Sequence, residues 1–79
     1  MQIKIRYFAG LKDITKKREE ILLIEERSNI DTGFIREKMN EMYGIDNKHI
    51  YNIVINGVLG KKEIKDGDII SIHPIYRGG

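Results

Sequence analysis

From Gln2 to Phe8 the chain alternates polar and apolar side chains, QIKIRYF. Ile3, Ile5 and Tyr7 fall on one side, and Lys4, Arg6 and Phe8 on the other. A period of two built from β-branched and aromatic residues predicts a strand with one face in water. AGLKDITKK follows, with Gly10 and Asp13 as turn formers, and reads as a longish loop. REEILLIEE predicts a second strand, so residues 1–26 form a β-hairpin. RSNI then breaks the pattern. Ser28, Asn29 and Asp31 each offer a side-chain oxygen that can cap a helix. Ile35, Met39 and Met42 recur at i, i+4 and i+7 with Phe34 beside them, which predicts one apolar helix face and assigns the methionines to the core. Arg36, Glu37, Lys38 and Glu41 fill the wet side, and Gly44 is a natural stop.

IYNIVINGVLG is the next strand, and Asn56-Gly57 is the sharpest turn signal because both residues tolerate positive φ. Only a short strand or turn fits between Gly60 and Lys65, and Asp66-Gly67 makes another tight turn. DIISIHPIY predicts the last strand, with Ile70 and Ile72 inward and Ser71, His73 and Ile75 on the other face. Pro74 has no N–H to donate, so regular pairing is expected to end near it. A hairpin, one main helix and further strands imply an α+β, ubiquitin-like β-grasp fold, a mixed sheet of four to five strands with the helix on one face. In that arrangement the first and last strands lie parallel at the sheet centre, which the long connection permits. Residues 1–75 form the expected domain and residues 76–79 a flexible C-terminal tail.

Composition narrows the function. A chain of 79 residues buries about 60–65% of its unfolded surface, so its core is modest. It contains no cysteine, which removes disulfides and thiolate zinc sites and suits a cytoplasmic location. No segment has signal-peptide form or the roughly 20 apolar residues of a membrane helix. Net charge is +2 with both signs interspersed, and Lys16-Lys17-Arg18 is followed at once by Glu19-Glu20, which argues against a nucleic-acid partner. The serines, Ser28 and Ser71, lie outside any nucleophile elbow, and no phosphate-binding glycine motif occurs. His49 and His73 come with no third ligand, so no metal or bound cofactor is expected.

The ending IHPIYRGG is different. Tyr76 to Gly79 can extend about 13–14 Å. Gly78 and Gly79 have no Cβ and can pass a channel that other residues would block. The terminal carboxylate then sits on a thin stalk, and another protein would supply the catalysis. An inert, frayed terminus is the alternative reading of the same letters.

IKIRYFAGLKDIT at the start, VINGVL in the middle and IKDGDIISIHPIYRGG at the end resemble the MoaD/ThiS family of ubiquitin-like sulfur carriers. The RYFAGLKDIT hairpin places the chain nearer MoaD, the small subunit of molybdopterin synthase, than ThiS. The resemblance implies that an E1-like enzyme uses ATP to adenylate the Gly79 carboxylate, that sulfur replaces AMP to give a thiocarboxylate, and that Gly78 provides the stalk. It implies a non-catalytic subunit that donates sulfur to a molybdopterin precursor held by a MoaE-like large subunit. It also places Phe8, Leu59 and His73 on a hydrophobic contact surface, with Ile75, Tyr76 and Arg77 as further partner-reading positions. Family members usually carry an apolar aromatic where His73 stands, often a second proline where Ile75 stands, and small residues where Tyr76-Arg77 stand. Three other readings remain open: a sulfur carrier for thiamin or another pathway, a protein modifier conjugated through Gly79, and a β-grasp binding module with an inert tail.

Overall fold

The computed structural model describes residues 1–25, 30–46 and 49–75. The elements are β1 (Gln2–Tyr7), α1 (Leu11–Thr15), β2 (Glu19–Leu23), β3 (Ile30–Asp31), α2 (Thr32–Tyr43), β4 (Tyr51–Ile55), β5 (Val58–Leu59), β6 (Glu63–Ile64) and β7 (Ile69–Pro74). Five strands form one mixed sheet in the order β2-β1-β7-β4-β5, and β3 and β6 form a separate two-stranded ribbon. β1 and β7 are the parallel central pair, with Ile5 opposite Ile70 and Tyr7 opposite Ile72. The fold is the ubiquitin-like β-grasp expected from the pattern.

Alternation decides which face is buried. Ile3, Ile5 and Tyr7 of β1, Ile53 and Ile55 of β4, and Ile70 and Ile72 of β7 all turn inward and are buried. α2 lays Ile35 and Met39 over them, both fully buried. Each such side chain contributes about 1.5–3 kcal/mol by leaving water. Asp31 starts α2: its Oδ1 accepts from the Phe34 N–H at 3.2 Å. The other two candidate caps, Ser28 and Asn29, lie outside the described residues. Gly44 ends the helix at φ 70°, and its N–H donates to the Asn40 carbonyl.

Three local expectations are corrected. AGLKDITKK is not all loop, because one helical turn at Leu11–Thr15 buries Leu11 and Thr15 at i, i+4. A single turn is too short for periodicity to reveal, and Gly10 and Asp13 mask it. Met42 is 42% exposed rather than core. The chain reverses at Gly44, the Ile45 N–H donates to the Met39 carbonyl, and Ile45 takes the buried place at that end of the helix. β2 stops at Leu23, shorter than REEILLIEE suggested, and β3 was not expected at all.

A polar lock joins β1, β2 and α2 on the helix side of the sheet. The Glu20 carboxylate accepts hydrogen bonds from both the Tyr7 and Tyr43 hydroxyls, and Lys17 Nζ lies 3.5 Å from its other oxygen. The two tyrosine rings meet edge to face at 5.9 Å. Burial, then the neighbouring carboxylate, pushes the Tyr7 hydroxyl pKa far above its ordinary value. Burial alone would raise the Glu20 pKa, but the two tyrosine donors and the Lys17 charge outweigh it and hold the carboxyl below its ordinary range. A carboxyl with a depressed folded-state pKa stabilises above its unfolded pKa, and that stabilisation is lost as pH falls through the folded value. Urea unfolding should therefore show stability falling below about pH 4–5. Glu20→Gln should cost about 1–3 kcal/mol at neutral pH and flatten that acid slope.

The two sharpest turn motifs turn out to be one structure. Asn56 (φ 49°) and Gly57 (φ 80°) make the two-residue β4–β5 turn. Asn56 Nδ2 donates to Asp68 Oδ1 at 2.9 Å, and Asn56 Oδ1 accepts from the Ile69 N–H at 2.9 Å. Asp68 Oδ2 accepts from the Lys65 N–H at 2.8 Å, while Asp66 Oδ1 accepts from the Gln2 N–H at 2.6 Å. The Asp66-Gly67-Asp68 turn thus clamps the start of β1 and β7 and the end of β4. Asp68→Ala should lower stability by about 2–3 kcal/mol, read from the urea midpoint, because it strands two donors.

Candidate docking face and C-terminal exit

The sheet face away from α2 has no helix over it among the described residues. Lys4, Arg6 and Phe8, Ser71 and His73, Asn52 and Val54 point to it by alternation, as the strand registers require. At one end this face is apolar. The Phe8 N–H donates to the Ile72 carbonyl at 3.2 Å, which carries the β1 direction one residue past the strand. The Phe8 ring then stacks on the His73 imidazole, with centroids 4.2 Å apart and planes 12° apart. The Ile75 N–H donates to the Ile50 carbonyl at 2.9 Å, extending the β7–β4 ladder past Pro74, which faces Tyr51.

Phe8, Ile75 and Ile50 are each about two-fifths exposed (39%, 41% and 41%), and Leu59 is 65% exposed. Phe8 and Leu59 are therefore surface residues. The structure brings Phe8, His73 and Ile75 together. Leu59 shares their face through Val54, its cross-strand neighbour, but stands at the β5 edge with β4 between. Tyr76, Arg77, Gly78 and Gly79 lie outside the described residues. Ile50 was missed by the sequence reading. The parity of Tyr51, Ile53 and Ile55, all inward, was the signal that would have put Ile50 outside with Asn52 and Val54.

Positive charge borders this patch. Arg6, Lys12 and Arg18 line a cavity of about 530 Å³ with Tyr7, Phe8 and Glu19. Arg6 Nε contacts Glu19 Oε2 at 3.3 Å, and Lys4 reaches the same oxygen at 3.9 Å. At the β5 edge, away from this patch, Lys61 and Lys62 stand beside Leu59 and Gly60 around a smaller cavity of about 180 Å³ that Thr32 and Arg36 of α2 also line. Among the described residues no cluster of three His, Cys, Asp or Glu side chains could hold a metal ion. No helix among them is long and apolar enough to cross a membrane. Among the described residues the arrangement offers no nucleophile–base pair. It offers an exposed apolar surface with a basic border, situated where the chain leaves the sheet toward its last four residues.

No protein-family model matches the chain. No curated protein sequence matches it significantly. Solved structures share its fold across nearly the whole length. A putative molybdopterin converting factor subunit 1 from Pyrococcus furiosus superposes with a TM-score of 0.76 at 22% identity, covering 94% of this chain and 97% of that one. SAMP1 from Haloferax volcanii superposes at 0.79 with 14% identity and complete coverage of both chains. A chain in the complex of subunits 1 and 2 of the molybdopterin-converting factor from Helicobacter pylori superposes at 0.66 with 24% identity, again with complete coverage of both. At these identities the likeness establishes a common fold.

Proposed function

We propose that this chain is a ubiquitin-like sulfur carrier of the MoaD type, whose Gly79 carboxylate is the chemical group and whose outer sheet face is the docking surface. The observation that carries this reading is the apolar patch of Phe8, His73, Ile75 and Ile50 at the end of β7, directly before the sequence Tyr-Arg-Gly-Gly. An exposed patch of this kind on a small domain marks a protein interface. A docked partner would receive the last four residues, which reach about 13–14 Å at most. The names of the Pyrococcus and Helicobacter structures support the molybdopterin assignment, and the Helicobacter complex supports a large-subunit partner.

The chemistry follows from the carboxylate. It is a poor acyl donor, so an E1-like enzyme attaches AMP from ATP and releases pyrophosphate. A sulfide equivalent then attacks the carbonyl carbon, the C–O bond to AMP breaks, and Gly79 carries a thiocarboxylate. Gly78 lets the stalk thread the partner's channel, and Tyr76 and Arg77 set its approach. In this reading the chain binds no cofactor of its own and works in the cytoplasm.

A second reading has specific support. The SAMP1 neighbours take their name from small archaeal modifier protein 1, and this chain ends in Arg77-Gly78-Gly79. Conjugation through Gly79 would use the same adenylate, with a lysine amine in place of sulfide. Pyrophosphate exchange with the E1-like enzyme of the same organism tests the shared step. Exchange is expected with the full chain, and its absence would remove both readings. Trypsin cleavage after Arg77 should leave a Gly-Gly remnant on target lysines only if the modifier reading holds.

A further inference from the structure

Among the described residues, the outer edge of β2 has no neighbouring strand. Its hydrogen-bonding pattern fixes which residues are free to pair there. Met1 and Ile24 exchange backbone bonds at 2.8 and 2.7 Å, and the Tyr7 N–H donates to the Arg18 carbonyl at 2.8 Å. The even-numbered positions 18 to 24 therefore face β1. In an antiparallel ladder the alternate residues, Glu19, Ile21 and Leu23, turn their N–H and C=O groups to the open edge. Their side chains point to the outer sheet face, where Ile21 is 54% and Leu23 79% exposed. The other edge of the sheet is built differently: β5 has two residues and runs into Gly60 and Lys61, a short, charged edge of the kind that discourages pairing. β2 has five residues, no lysine and no proline.

We infer that this edge pairs antiparallel with the same edge of a second copy, about a two-fold axis through Ile21. A two-fold axis normal to the sheet keeps outer faces together, so a residue can only oppose one of the same parity. Centring on Glu20 would set Glu20 against itself. Centring on Leu22 would set Glu19 against Glu25. Centring on Ile21 opposes no like charges. It places Ile21 on Ile21 and Glu19 against Leu23 of the second copy. The strand's sequence is complementary to its own reverse, basic before it (Lys16-Lys17-Arg18) and acidic after it (Glu25), with apolar residues between. The paired sheet leaves both Phe8–His73 patches open on one face, so the inference does not depend on the sulfur-carrier reading.

The absence of native cysteine makes the register testable. Directly opposed residues of a hydrogen-bonded pair have Cα atoms about 5.5 Å apart, within disulfide reach. Under mild oxidation Ile21→Cys is expected to form a covalent dimer readily, and Glu19→Cys at least about tenfold more slowly, because it opposes Leu23 rather than itself. Sedimentation of the unmodified chain should show a dimer whose fraction rises with concentration. Leu23→Glu, at a position already in water, sets a like charge against Glu19 of the second copy and should leave the chain monomeric with an unchanged circular-dichroism spectrum. Equal cross-linking of the two cysteine variants, or a monomer at every concentration from micromolar to high micromolar, would overturn the inference.

Discussion

Phe8→Asp is expected to leave the domain folded while weakening partner binding about 100-fold. Phe8 contributes little to the core, since it is 39% exposed and its main contact is the stack on His73. Surface changes of this kind usually shift stability by no more than about 0.5 kcal/mol, and losing the stack adds about as much again. Binding is another matter. An aromatic at the centre of an interface commonly supplies 2 kcal/mol or more, and about 2.8 kcal/mol corresponds to 100-fold. The aspartate also brings a charge that docking would strip of water. Calorimetric titration with the partner subunit, set beside the urea midpoint of the free chain, separates the two effects. A collapse in stability would show that Phe8 serves the fold rather than the interface.

Removing Gly79, or adding one residue after it, is expected to abolish activation by the E1-like enzyme while leaving the melting temperature where it was. The described sheet, turns and buried core are built from residues up to 75, and a terminal residue contributes little to folding. Activation needs the carboxyl carbon at the adenylating centre. A reach of about 13–14 Å leaves little slack for a shorter or longer stalk. Gly78→Leu should retain the carboxylate yet slow adenylate formation by about 100-fold or more, because the side chain blocks a channel sized for glycine and misplacement of the reacting group is costly. Pyrophosphate exchange measures all three variants, and normal exchange by the extended chain would argue against a free-carboxylate mechanism.

The parts of the fold legible in the sequence were those with a long, regular period. Ile3, Ile5 and Tyr7, then Ile70 and Ile72, announced two one-sided strands, and their parity placed Phe8 and His73 on the same outer face. Asn56, Asp31 and Gly44 marked turn, cap and stop through their own backbone chemistry. What escaped was short or set by tertiary contact. The single turn of α1 and the two-residue β3 leave no period to count. Met42 satisfies the helical spacing, yet Ile45 takes the buried place once Gly44 reverses the chain. Asn56-Gly57 and Asp66-Gly67 read as two separate turn signals, and only the fold brings Asn56 within 2.9 Å of Asp68, the residue after the second turn. Of the docking face, Ile50 stands just before β4, and only the alternation of Tyr51, Ile53 and Ile55 carried back one residue places it outside.

The most direct measurement of the central claim is the intact mass of the protein isolated from cells that contain its own E1-like enzyme. A carrier should show a second species in which one oxygen is replaced by sulfur. That species should map to the C-terminal peptide containing Gly78 and Gly79 and disappear when Gly79 is deleted. A single mass matching the unmodified chain, under conditions where the enzyme is active on ATP, would contradict the account.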